Sequence, residues 1–367
     1  MSRVVYIHVG APKTGTTYLQ DRILRNREEL GRHGFHYPVG LGAGHFMPAL
    51  DLIEMPWGGQ GQHAAGQWDA LAARVNRIDG TNLISHEVLA AAKPDQVKRA
   101  MDSLEADDVH IVYTARDLAR QIPAEWQESV KHRRRHTYQQ FLDALLETQG
   151  RPSTDQWFWR VQGIPEVLSR WGAHVPPGKV HLVMVPPPGA PRNLLWERFC
   201  QVLDIDPTWA PEESSKANQS IGGAETTLLR RLNVRLKGDL ASAPYRRLIR
   251  QHLVHKTLAH REDMNRVTLP PRLEEWAANL SEEWIGWIED SGIHVVGDLD
   301  ELRPAPLAEG ADWLDPDNPP ADEVVEAALD ALVAMTMEAA RRGGGTSPET
   351  FSRRMRKVVR RARMSRH

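Results

Sequence analysis

Short apolar runs separated by amphipathic stretches set the pattern of this chain. Residues 4–9 (Val-Val-Tyr-Ile-His-Val), 109–115 and 180–185 read as buried β-strands; 81–87 and 292–299 read as shorter strands. Between them, apolar residues recur at helical spacing. Leu19, Ile23 and Leu24 predict a helix over 16–27, and Trp68, Leu71, Ala72 and Val75 predict one over 67–78. Further helices are predicted over 94–104, 141–146, 194–203, 224–236 and 280–290. Strands alternating with helices predict an α/β fold, a parallel β-sheet flanked by helices. The stretch 32–66 is rich in glycine, histidine and proline and reads as an irregular segment. Trp157, Phe158, Trp159 and Trp171 read as core aromatics. The α/β domain is expected over 1–302, with a Pro- and acid-rich linker over 303–321. A helix over 322–342 is then broken by three glycines, which open a basic tail over 343–367.

The first strand leads into Gly10-Ala11-Pro12-Lys13-Thr14-Gly15-Thr16-Thr17-Tyr18. Strand, glycine turn and helix N-terminus together make a phosphate cradle. Free backbone N–H groups and the positive end of the helix dipole converge on one spot. Lys13 adds a charge, and the Thr16 and Thr17 hydroxyls can donate. Gly10 and Gly15 keep the glycine spacing of the nucleoside-triphosphatase loop G-x-x-x-x-G-K-[ST], but Thr16 stands where its lysine belongs and the lysine lies inside the loop. The second strand ends in His86 and Glu87, two adjacent proton acceptors at the carboxyl end of the sheet, where open α/β folds bind ligands. The third runs into Arg116, whose rigid fork of donors suits phosphate.

The stretch Pro12–Tyr18 resembles the 5′-phosphosulfate-binding loop of the sulfotransferases that use 3′-phosphoadenosine 5′-phosphosulfate (PAPS), in their phosphate-loop α/β fold with a C-terminal helical extension here. The resemblance implies sulfuryl transfer to an acceptor hydroxyl or amine without a metal. Gly10, Pro12, Lys13, Thr14, Gly15, Thr16 and Thr17 would form the donor loop, and Tyr18 would stack on adenine. His86 or Glu87 would be the catalytic base, with Glu87 favoured. Arg116 would hold the 3′-phosphate. The family serine eight residues later is Ala124 here, so Ser129 or a backbone group would replace it. By analogy with a late loop of the family, Asn218 and Ser220 are candidate cofactor contacts; helix capping accounts for Ser220 equally. His45, in the irregular segment, is a candidate acceptor contact or a capping residue. The competing readings are a phosphate-loop kinase or nucleoside triphosphatase, and a nucleotide-binding relative without catalysis. The former wants a lysine after Gly15 and a strand-end aspartate for Mg²⁺, for which Asp117 is the one claimant.

Composition narrows the rest. With 46 Lys+Arg against 48 Asp+Glu in 367 residues, global charge points to no nucleic-acid partner. The basic run 131–136 reads as a solvated helix end or as a patch for an anionic cofactor or acceptor. The tail could lie on an anionic membrane or RNA, or fray in water. One cysteine, Cys200, makes no disulfide framework and fits a reducing compartment. With no signal peptide and no apolar run of about 18 residues, a cytoplasmic protein is expected. The acceptor (small molecule, carbohydrate or lipid) and the oligomeric state are not legible.

Overall fold

In a computed structural model, which describes residues 2–40, 44–147, 156–216, 220–305 and 312–343, six parallel strands form one sheet in the order β2-β3-β1-β4-β5-β6. They are β1 (Arg3–Gly10), β2 (Phe35–His36), β3 (Gly80–Ser85), β4 (Asp108–Ala115), β5 (Val180–Met184) and β6 (His294–Val296). The parallel α/β fold expected from the alternation is the one observed. β1 lies in the middle because it pairs with β3 on one side and β4 on the other.

The period of two along the strands divides the core. Val5, Ile7 and Val9 point into the larger apolar layer, with Ile84, Ile111, Tyr113 and Leu182. Tyr6, Leu83, Val112 and Val183 point into a smaller layer covered by α1 (Thr16–Arg25) and α2 (Leu194–Leu203), which supply Leu19, Ile23, Trp196 and Phe199. His8, between Ile7 and Val9, therefore falls on the smaller side, where its ring meets Phe199 at 5.0 Å. The larger layer is closed by helices that include Phe46–Ile53, Gln67–Val75, Leu118–Lys131 and Glu274–Ser291.

Three expectations change. Within 32–66, Phe35–His36 forms an edge strand on β3 and Phe46–Ile53 forms a helix; both are too short for periodicity to reveal. The predicted first helix ends at Arg25, and a second turn of helix occupies Arg27–Arg32. The described part of 303–321 is not a free tether. Both Asp317 carboxylate oxygens accept backbone N–H bonds, from Tyr138 and Gln139 at 2.9 Å each, capping the Tyr138–Glu147 helix. The Trp313 indole N–H reaches the Thr268 carbonyl at 3.4 Å. The Ala321–Gly343 helix then packs on Gly223–Leu236. The tail beyond 343 lies outside the described residues.

Candidate functional site

β1 ends at Gly10 and the chain turns sharply, with φ of 135° at Gly10, 64° at Lys13 and 90° at Gly15. Two of these positions favour glycine by conformation and are crowded as well. A Cβ on Gly10 would lie 3.1 Å from the Glu87 carbonyl, and one on Gly15 would lie 2.6 Å from Leu195 Cδ2. The loop is pinned through its carbonyls. Pro12 C=O accepts from Gln121 Nε2 (2.6 Å) and Gln162 Nε2 (3.1 Å), and Gly10 C=O accepts from the Thr114 hydroxyl (2.9 Å). The Thr14 hydroxyl donates to the Ala11 carbonyl and lies against Thr114. Thr14 is therefore a buried pin of the loop, its hydroxyl spent on the loop's own carbonyl.

The N-terminus of α1 is open. Gly15 is the N-cap, no side chain caps it, and no acidic residue stands in the first turn. Orphan N–H groups there are left for water or an anion. Thr16 is buried beside it and Thr17 exposed. Tyr18 is half-buried, and its hydroxyl accepts from Arg22 at 3.1 Å.

β3 stops at Ser85, so His86 and Glu87 lie just past the strand, at the start of a single helical turn. His86 Nδ1 accepts the Val88 N–H (3.3 Å), which places the ring proton on Nε2. Burial pushes this histidine down, with Glu87 opposing. Burial alone would raise the Glu87 carboxyl. His86, the residue's own N–H, the Thr16 hydroxyl and His8 outweigh that and hold it below its ordinary value. One Glu87 oxygen, Oε2, is buried with no hydrogen-bond partner among the described residues. Of the two adjacent candidates, the glutamate keeps a free lone pair and the histidine spends its own on a cap.

Opposite the loop stands the Leu118–Lys131 helix. Lys13 Nζ pairs with Glu128 Oε2 at 3.0 Å. The same carboxylate takes Lys131 (3.6 Å), His132 (3.3 Å) and Arg250 (3.4 Å). Burial would raise it, but Lys13 and its neighbours hold it well below the ordinary value. One turn earlier Glu125, also buried, is pushed up to about 7 by desolvation, with Gln162 donating to it at 3.2 Å.

The remaining expected residues fare unequally. Arg116 donates to Gln121 Oε1 (3.0 Å) and to the Arg120 carbonyl (2.7 Å), so part of its fork is spent behind the loop. Burial lowers its pKa to about 10. The Ser129 hydroxyl donates to the Trp126 carbonyl (2.7 Å) and meets His136 Nε2 (3.0 Å), so it is committed inside its own helix region. His45 is buried with both ring nitrogens used, Nε2 on the Pro38 carbonyl (2.7 Å) and Nδ1 accepting the Ser85 N–H (3.1 Å). It is a structural tie at the end of β3 and has no atom left for an acceptor. Ser220 is exposed, beside Ile221, whose carbonyl Gln127 holds at 2.6 Å; Gly222 is the cap of the following helix. Asn218 lies outside the described residues.

Sequence reasoning missed Glu125, Glu128 and Gln121. Gln121, Glu125 and Glu128 fall at i, i+4 and i+7 on the helix after Arg116, the signal that could have placed them on the loop's side. It also read Trp157 as core and did not single out Phe46 or Trp57, which begin a short helix and a single helical turn. Nothing in local sequence pointed to Arg250.

No protein-family model and no curated protein matches this chain. Among solved structures it is similar to a sulfotransferase from Alicyclobacillus acidocaldarius, at 17% identity. The match covers 67% of this chain and all of that one, with a TM-score of 0.39. A likeness of that size decides neither the reaction nor the residues.

Proposed function

We propose that the protein is a sulfotransferase, moving a sulfuryl group from PAPS to an acceptor hydroxyl or amine. The observation that carries this reading is the meeting of two unlike groups where β1 and β3 end. An uncapped helix N-terminus with Lys13 stands on one side. An ionised carboxylate with a free oxygen, Glu87, lies against the loop's own Thr16 on the other.

In the reaction, Glu87 accepts the proton of the acceptor as its oxygen or nitrogen forms a bond to sulfur. The sulfur–bridging-oxygen bond breaks, and the electron pair goes to the 5′-phosphate of the departing 3′-phosphoadenosine 5′-phosphate (PAP). Lys13 and the loop N–H groups offset that charge, which is preorganised electrostatic stabilisation. Lys13 has to exchange Glu128 for the donor first. His86, with its proton on Nε2, orients and donates rather than acting as base. Thr16 and Thr17 contribute hydroxyl donors, and Tyr18 offers a ring for adenine. Arg116 supplies the 3′-phosphate only through the donors that Gln121 and Arg120 leave. The phosphoryl-transfer alternative loses its Mg²⁺ ligand: one Asp117 oxygen caps the helix on Arg120 N–H and the other pairs with the Arg120 guanidinium.

No described helix is long and apolar enough to cross a membrane. The cytoplasmic assignment belongs to this proposal. The test is turnover of sulfur-labelled PAPS with an acceptor panel. Glu87→Gln should lower turnover by about 10²–10⁴-fold while PAP still binds, the usual worth of a positioned base. His86→Asn should lower it far less. Full turnover by Glu87→Gln would overturn the assignment.

A further inference from the structure

The basic run 131–136 is only partly absorbed by the donor cradle. Lys131 is 4% exposed, and its one ion pair among the described residues is the 3.6 Å contact with Glu128. Arg250 comes from the Arg246–His255 turns of π-helix; it reaches the same carboxylate at 3.4 Å, and its Nε is buried without a hydrogen-bond partner. A lysine carries three donors and an arginine five. Together with Lys13, two further cations share one carboxylate, and most of their donors face no described acceptor. Burial, then Lys13, lower Lys131 to about 8, with Glu128 opposing, so it is still protonated at neutral pH. Buried charge without a counter-ion is costly, and an anionic ligand removes that cost. When a donor takes Lys13, Glu128 still faces both Lys131 and Arg250, leaving one positive charge uncompensated.

A chain of ring contacts links this cluster to the residue beside Glu87. The His86 ring packs on Phe46 (5.1 Å between centroids), Phe46 on Trp57 (6.1 Å), and Trp57 edge-on to His132 (5.5 Å). Trp157 lies 5.4 Å from Trp57. A half-buried aromatic wall thus runs from the residue beside the base to the cations.

We propose that the acceptor is an anionic hydroxyl compound with a flat apolar face: its charge rests on Lys131 and Arg250, its ring on Trp57 and Phe46, and its hydroxyl at Glu87. The inference rests on the sulfotransferase reading for the last contact alone.

The test is titration of 6-hydroxy-2-naphthoate against 2-naphthol, which share the ring and hydroxyl and differ in the carboxylate, into protein with and without saturating PAP. The naphthoate should bind about tenfold tighter, roughly 1.4 kcal/mol. Arg250→Gln and Lys131→Met should each shrink that ratio to about twofold or less, in PAP-free and PAP-saturated protein alike. In the unmodified protein, raising NaCl from about 50 to about 500 mM should shrink it as well, which guards against a variant that fails to fold. Equal affinity for the two naphthalenes overturns the proposal. So does a ratio that both Arg250→Gln and Lys131→Met leave unchanged, because the carboxylate then rests on neither cation. If PAP never binds, the donor reading fails, and the naphthoate ratio in PAP-free protein still decides the anion site.

Discussion

Acid should unfold this protein earlier than its balanced charge suggests, because three histidine rings are buried neutral. His8, His45 and His181 are each pushed from 6.5 down to about 4, in every case mainly by burial. Their charged neighbours act more weakly. Glu87 and His86 face His8, His86 and Arg74 face His45, and His110 and His294 face His181. The unfolded chain binds protons at these rings below 6.5 and the folded chain does not. Their stabilisation is therefore complete above about 6.5 and is lost as pH falls toward 4. At pH 5 each ring has given up about 2 kcal/mol, or about 6 kcal/mol together. Glu125 works in the opposite sense: raised from 4.5 to about 7, it binds a proton in the folded state first and returns about 2–3 kcal/mol at pH 5. The net loss is about 4 kcal/mol, a large share of the stability of an ordinary domain. Urea unfolding at pH 7.5 and pH 5 measures it directly. His181→Gln, which removes one ring, should reduce the loss between the two pH values by about 2 kcal/mol. Stability that stays flat or rises on acidification would refute the burial argument.

Gly15→Ala should cost about 1–3 kcal/mol in thermal or urea unfolding, because it combines φ of 90° with a 2.6 Å approach to Leu195; an unchanged midpoint would contradict the loop geometry. Glu128→Gln should have two opposed effects. It leaves Lys131 and Arg250 without their shared counter-ion, lowering stability by about 3–5 kcal/mol. It also frees Lys13, so PAP should bind more tightly and raise the melting temperature by more than it does in the parent; calorimetry checks both. Cys200 is buried, and burial pushes its thiol up, so a thiol reagent should label it only as fast as the chain unfolds.

The sheet was legible because its long strands are apolar on both faces: Val5, Ile7 and Val9 feed one layer, Tyr6 and Val112 the other. β2 was not, since two residues held in register only by β3 carry no period. The cradle was legible from glycine spacing and an inner lysine, chemistry that lives within a few consecutive residues. What Lys13 does without a ligand was not, because its partner lies 115 residues away on a helix. The same limit explains Thr14 and His45. Their residue types suit ligand contacts, but Thr114, Pro38 and Ser85 come to them only through the fold and use their polar atoms first. The choice of Glu87 over His86 likewise depends on one backbone N–H, that of Val88, which sequence does not reveal.

The central claim is that the cradle around Lys13 binds a PAPS-type donor. Calorimetric titration with PAP in the presence of a chelator, beside ATP with Mg²⁺, tests it most directly. PAP should bind at micromolar affinity without metal, and at least about tenfold more weakly in Lys13→Ala, a loss of roughly 1.4 kcal/mol or more. Preference for Mg·ATP, or PAP binding that is indifferent to Lys13, would contradict it.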